Sequence, residues 1–212
     1  VSLCIEILQL PFYDRVTDID DLLLKGALTN DMALFLEGAV KAKLNILISN
    51  ILKMSKIDNQ KIVIEQELFE LDEQIREVVL SLEKEWTNKN IELDIDLDEV
   101  SIRTDKTLLS HVWSNIIGNA IKYSYDNSKI EIKLRNENDK IKVTIKDYGI
   151  GIEEEKLPYI FNKFYQGDTS HSNEGNGLGL ALVKGIIDLI NGKIEVHSEV
   201  NKGTEFIVTL NK

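Results

Sequence analysis

Asn115-Ile116-Ile117-Gly118-Asn119-Ala120-Ile121-Lys122-Tyr123 is the stretch on which the fold turns. It ends a segment, 105–123, whose apolar spacing predicts a helix. Asn115 and Asn119 are four residues apart, so both side chains project from one helix face, with Lys122 close to it. Two carboxamides and an ammonium on one stripe suit a metal-bound polyphosphate: amide oxygens face the cation and the lysine faces the phosphates. Taken alone, the stripe reads equally well as solvated asparagines near a helix end.

Three further clusters follow in order. Asp147-Tyr148-Gly149-Ile150-Gly151 comes directly after an alternating strand. Its carboxylate would accept from an amino group such as an adenine amine, and its glycines let backbone approach a flat ligand. By itself it is a common turn. Phe161-Asn162-Lys163-Phe164-Tyr165 follows Pro158; aromatics at that spacing more often belong to a core. Gly175-Asn176-Gly177-Leu178-Gly179-Leu180 opens a helix, and a glycine-rich turn into a helix N-terminus cradles phosphate. A dinucleotide-binding reading is rejected because the preceding segment is not a βαβ strand. The polar stretch 166–174 between the last two clusters is either a mobile lid or an ordinary surface loop. Gly203-Thr204-Glu205-Phe206 leads into a final strand.

The joint order of these motifs resembles the catalytic domain of sensor histidine kinases, over about residues 66–212. The motifs fall where that family carries its N, G1, F, G2 and last glycine boxes. The resemblance implies ATP and Mg²⁺ as ligands. It assigns the adenine amine to Asp147, with Gly149, Gly151 and Ile152 shaping the pocket. Asn115 and Asn119 would hold Mg²⁺ and phosphate oxygens, Lys122 would touch the phosphates, and Tyr123 would line the adenine or ribose side. Gly175, Gly177, Leu178, Gly179 and Leu180 would wrap the triphosphate, Phe161 and Phe164 would anchor the lid, and Thr204 joins the nucleotide-binding set. No catalytic residue is assigned with certainty; Asn115 and Lys122 would assist phosphoryl transfer, which is mostly positioning and charge neutralisation. A gyrase-like or chaperone-like ATPase is disfavoured, because those carry a water-activating glutamate where this chain has Asn115.

The fold class expected is α+β. Residues 61–212 read as a two-layer α/β sandwich of the histidine kinase, gyrase and chaperone ATPase type: one antiparallel or mixed sheet with helices on one face. Strands are expected over 61–68, 91–97, 130–134, 141–145, 193–197 and 204–210, and helices over 72–89, 105–123 and 178–190. Residues 1–60 read as a helical hairpin. Val40, Leu44, Leu47, Ile51 and Met54 form a seam with alternating gaps of four and three, as a coiled-coil-like stripe requires. Pairing with a second copy would make a four-helix bundle, a homodimer.

The hairpin resembles the family's dimerisation and phosphotransfer unit, except that the phosphoacceptor histidine is not evident. The histidines are His111, His171 and His197, and none precedes residue 111. Aligned on Pro11, the acceptor position falls on Glu6. Three readings stand open: a chain whose acceptor segment is lost or altered, a degenerate member that binds ATP without phosphorylating itself, and a kinase acting on another protein's histidine. The resemblance also implies a response regulator receiver domain as partner. A net charge of −11 argues against nucleic acid. No apolar run reaches the roughly 18–20 residues of a membrane span. Glu6 and Asp14 interrupt any signal-like start, and the single cysteine, Cys4, fits a reducing compartment. A cytoplasmic segment without direct membrane contact is expected, as the cytoplasmic part of a longer membrane-anchored sensor.

Overall fold

The computed structural model describes residues 64–166 and 177–212, which belong to one compact unit. The helical hairpin expected over 1–60 lies outside the described residues. In chain order the elements are β1 (Glu67–Glu70), α1 (Leu71–Ser81), α2 (Glu83–Asn88), β2 (Glu92–Leu97), β3 (Ser101–Thr104) and α3 (Lys106–Tyr123). They continue with β4 (Lys129–Glu137), β5 (Lys140–Asp147), a 3₁₀ turn (Leu157–Tyr159), α4 (Gly179–Leu189), β6 (Lys193–Glu199) and β7 (Gly203–Asn211). No helix among the described residues is long and apolar enough to cross a membrane.

The main sheet has five strands in the order β2-β4-β5-β7-β6. Only β2 and β4 run parallel. A parallel pair needs a long crossover, and the segment from β3 through α3 provides it. Alternation sends Ile130, Ile132 and Leu134 of β4 to one face, with Ile141, Val143 and Ile145 of β5 and Phe206, Val208 and Leu210 of β7, all buried. The register brings them into rows, Ile132 beside Ile145 beside Phe206 and Leu134 beside Val143 beside Val208.

Helices α1, α3 and α4 cover that face, with α3 in the middle packing on both neighbours and on β5. It buries Leu109, Val112, Trp113, Ile116, Ile117, Ala120 and Ile121. Asp105 caps it by accepting from the Leu108 N–H at 2.9 Å, the usual device for an orphan N-terminal donor. The Trp113 indole donates to Gln74 Oε1 at 3.0 Å, and Gln74 Nε2 donates to the Lys106 carbonyl at 2.7 Å, so this buried polar bridge between α1 and α3 is satisfied. The other sheet face is charged: Lys129 pairs with Asp94, Lys133 with Glu131, and Arg135 with Asp96.

Four local expectations need correction. The first strand begins at Glu67, and its inward residue is Phe69 while Leu68 is 62% exposed. Pairing of Phe69 with Ile102 on β3 sets that phase, one residue off the alternation that Ile62, Ile64 and Leu68 suggest in the sequence of the strand expected over 61–68. β3 itself was not anticipated; four residues are too short for a period to show. The helix expected over 72–89 breaks at Leu82, where ψ turns to 14° and α2 restarts. Ile91, Leu93, Ile95 and Leu97 alternate strictly in the sequence of the strand expected over 91–97, but burial in β2 does not follow, and Ile95 is 38% exposed, because an edge strand paired on one side only is less completely covered.

Candidate functional site

Strand alternation positions the first functional side chain. After Ile141, Val143 and Ile145, the next inward position on β5 is Asp147, opposite Ile130. A carboxylate therefore occupies an apolar slot, 4% exposed. Its Oδ1 accepts from the backbone N–H of Gly149 at 3.0 Å and of Thr204 at 3.2 Å. Burial pushes the carboxyl above the ordinary aspartate range despite those donors. Both bonds end on Oδ1, and a ligand amine donating to Oδ2 would favour the ionised form and relieve that penalty.

The backbone around Asp147 is locked to the end of α3. Ile150 N–H donates to the Tyr123 carbonyl at 3.1 Å, and a Cβ on Gly149 would collide with that same carbonyl. Only glycine permits this approach. Gly151 lies against the Glu199 carbonyl, and Ile152 N–H donates to Ser198 Oγ at 2.8 Å. Ser198 Oγ also donates to the Gly203 carbonyl at 3.0 Å and lies 2.9 Å from Thr204 Oγ1. Ser198 thus joins the segment after Asp147 to the turn carrying Thr204. Sequence reading missed Ser198; no local motif marks it, since β6–β7 pairing puts it opposite Thr204.

The other end of the site is built from α3 and the start of α4. Asn115 Nδ2 donates to the His111 carbonyl at 2.7 Å. This fixes the amide so that Oδ1 points at Gly179, 2.5 Å from where a Cβ would stand. Asn119 is one turn on and half-buried. Lys122 Nζ sits 4.9 Å over the Tyr123 ring, which is 44% exposed. Leu178 is buried at the cap of α4, and Gly179 and Leu180 in its first turn are partly exposed. Phe164 N–H donates to the Gly177 carbonyl at 2.9 Å with the ring exposed, and Phe161 packs on the core. Gly175, His171 and most of the expected lid lie outside the described residues. His197 is exposed on β6, and the His111 carbonyl serves Asn115.

A hard oxygen acceptor turned toward a helix N-terminus fits a divalent cation carried on phosphate. A buried carboxylate beside close-approach backbone fits a purine amine. The arrangement has the chemistry to take a purine nucleotide, with the base at one end and the phosphates at the other.

Comparison with known proteins agrees. The profile of the histidine kinase-, DNA gyrase B- and HSP90-like ATPases matches residues 104–212. The signal transduction histidine-protein kinase ArlS of Staphylococcus aureus is 35% identical over 162 residues, 76% of this chain and 36% of ArlS. The catalytic domain of the histidine kinase ThkA is 31% identical with a TM-score of 0.63, over 70% of this chain and 96% of that one. ThkA in complex with the response regulator protein TrrA superposes at 26% identity with a TM-score of 0.71, over 95% of this chain and 58% of that one. The chain belongs to this ATPase family, and within it to the sensor histidine kinases. The described residues form that family's catalytic ATP-binding domain. The chain spans 36% of the length of the curated relative it matches.

Proposed function

We propose that this chain is the ATP-binding catalytic core of a two-component sensor histidine kinase, presenting the γ-phosphate of ATP to a histidine. The observation carrying this reading is the convergence of Asp147, Gly149 and Thr204 near the C-terminal end of α3 and of Asn115 and Gly179 about two turns earlier along it. Asp147 Oδ2 takes the adenine amine. Gly149, Gly151 and Ile152 shape the base pocket, with Tyr123 beside it. Gly177, Leu178, Gly179 and Leu180 present the start of α4 to the phosphates, with Lys122 adding positive charge and Gly175 continuing the wrap. Asn115 and Asn119 offer amide oxygens to Mg²⁺. When bound there, that ion would supply charge neutralisation to the phosphates. In the transfer, the bond between the γ-phosphorus and its bridging oxygen breaks, a phosphorus–nitrogen bond to an imidazole forms, and ADP leaves.

Residues 1–60 are proposed to dimerise through their apolar seam and to meet a response regulator receiver domain, a role in keeping with the ThkA–TrrA complex. A second reading is favoured by one sequence fact, that no histidine precedes His111. It is a degenerate dimeric regulator that binds ATP, does not phosphorylate itself, and docks a response regulator or another kinase. Incubation with γ-labelled ATP separates the two. Acid-labile label on this chain or on a co-incubated partner's histidine supports the kinase. Tight ATP binding with no acid-labile label on either supports the regulator.

A further inference from the structure

The last turn of α3 carries Lys122 and Tyr123, and the carbonyls of residues 120–123 must find their donors beyond the helix. Each is accounted for. The Ala120 carbonyl accepts from Ser124 N–H and the Tyr123 carbonyl from Ile150 N–H. The two between them, Ile121 and Lys122, accept from one side chain, Lys89, at 3.0 and 2.7 Å. The same ammonium donates to the Ser124 carbonyl at 2.9 Å. All three donors of Lys89 are thus spent on the C-terminal end of the helix that lines the nucleotide site. Lys89 is itself held, because its carbonyl accepts from Asn127 N–H at 2.8 Å, and the neighbouring Asn90 amide donates to Asn127 Oδ1 at 2.8 Å.

We infer that Lys89 is a positioning residue for the nucleotide site. It touches no ligand position. It fixes the peptide groups on which Lys122 and Tyr123 are mounted, and through the Tyr123 carbonyl it fixes the turn bearing Gly149 and Ile150. A cation at a helix C-terminus also opposes the negative end of the helix dipole, so the three bonds are charge-assisted. A loose solvated lysine would spread its donors among waters. A lysine committed to the carbonyls of Ile121, Lys122 and Ser124 sets the twist at which the helix ends, and that twist decides where the Lys122 and Tyr123 side chains leave the backbone.

The inference rests on the nucleotide reading above, and its test separates the two. In the full chain, Lys89→Met keeps the apolar stem and removes the donors, while Lys89→Arg restores donors. Calorimetric titration below the melting range is expected to show ATP weakened about tenfold in Lys89→Met and restored to within about threefold in Lys89→Arg, with adenosine less affected than ATP. Hydrogen exchange at the Ile150 amide, in ligand-free protein, is expected to accelerate in Lys89→Met and recover in Lys89→Arg. If wild type binds no ATP, the nucleotide reading falls and the exchange measurement still decides the clamp. Unchanged exchange at Ile150 overturns the inference whatever the ligand does. So does unchanged ATP affinity in folded Lys89→Met with only a lower melting temperature, which would make the lysine a stabilising cap and nothing more. Should Lys89→Met fail to fold, Lys89→Gln is read by the same criteria.

Discussion

The two ends of the proposed nucleotide site are made differently. At the base end, Asp147, Gly149, Ser198 and Thr204 are tied by backbone and hydroxyl hydrogen bonds between three strands. At the phosphate end, the parts are one amide, Asn115, and the opening turn of α4. The base end is a rigid slot whose shape comes from sheet register. The phosphate end depends on where one helix starts relative to another. Rigid backbone suits a flat, invariant base. A helix terminus presents several donors at once, which suits a flexible chain of charged groups that changes when a phosphate departs.

Substitutions can break this contrast. Gly149→Ala has the largest expected effect, because the added methyl meets the Tyr123 carbonyl and neither backbone segment has room to yield. A loss of about 3 kcal/mol of stability is expected in chemical denaturation; a variant as stable as wild type would mean the turn is not locked to α3.

Asp147→Asn comes next and separates binding from stability. The amide oxygen still accepts from Gly149 and Thr204, but the edge facing an adenine amine becomes a donor. Nucleotide affinity is expected to fall about 100-fold by titration. Stability should move the other way. The Asp147 carboxyl lies above its ordinary range when folded, so its favourable contribution is present at acid pH and is lost as pH rises through the folded value. At neutral pH the substitution should therefore raise the melting temperature, and the gain should shrink toward acid pH. A melting temperature lowered at neutral pH would contradict the burial cost assigned here.

Gly179→Ala probes the phosphate end. The new methyl is placed against Asn115 Oδ1, whose amide cannot turn without losing its bond to His111. ATP is expected to weaken about tenfold while adenosine changes little, with the fold intact because alanine is a better helix former. Equal losses for both ligands would show that the ends are not separable. The smallest effect belongs to the outer sheet face. Glu131 is held down to about 2, first by the Lys133 ammonium and then by the Tyr148 hydroxyl. Its stabilising contribution is present above its unfolded value and lost as pH falls toward about 2. Glu131→Gln should flatten acid unfolding in that window and leave nucleotide affinity unchanged; altered affinity would link the outer face to the base end through Tyr148.

The same contrast explains what could be read from the sequence. The helix that puts Asn115 and Asn119 on one face was legible because a helix has a fixed period, and the strand ending at Asp147 because it alternates. The strands β4, β5 and β7 were legible for the same reason of period. Ser198 was not, because its role comes from pairing with a strand segment beyond a turn. β3 and the phase of β1 define each other across more than 30 residues, and neither shows a pattern alone. Lys89 looked like any polar residue closing a helix; its three acceptors belong to another element. What escaped the sequence is mostly what pairing between separate elements creates.

Helix α3 meets the α4 terminus at Asn115 and the base turn at Tyr123, eight residues apart. At 1.5 Å per residue that interval is roughly 12 Å. The helix is therefore a gauge rod between two jaws, and its length is set by residue count alone. Inserting one residue between those positions would move the jaws apart and rotate one against the other by about 100°. The 115–123 interval is consequently a part of the molecule that cannot change its length without moving one jaw against the other.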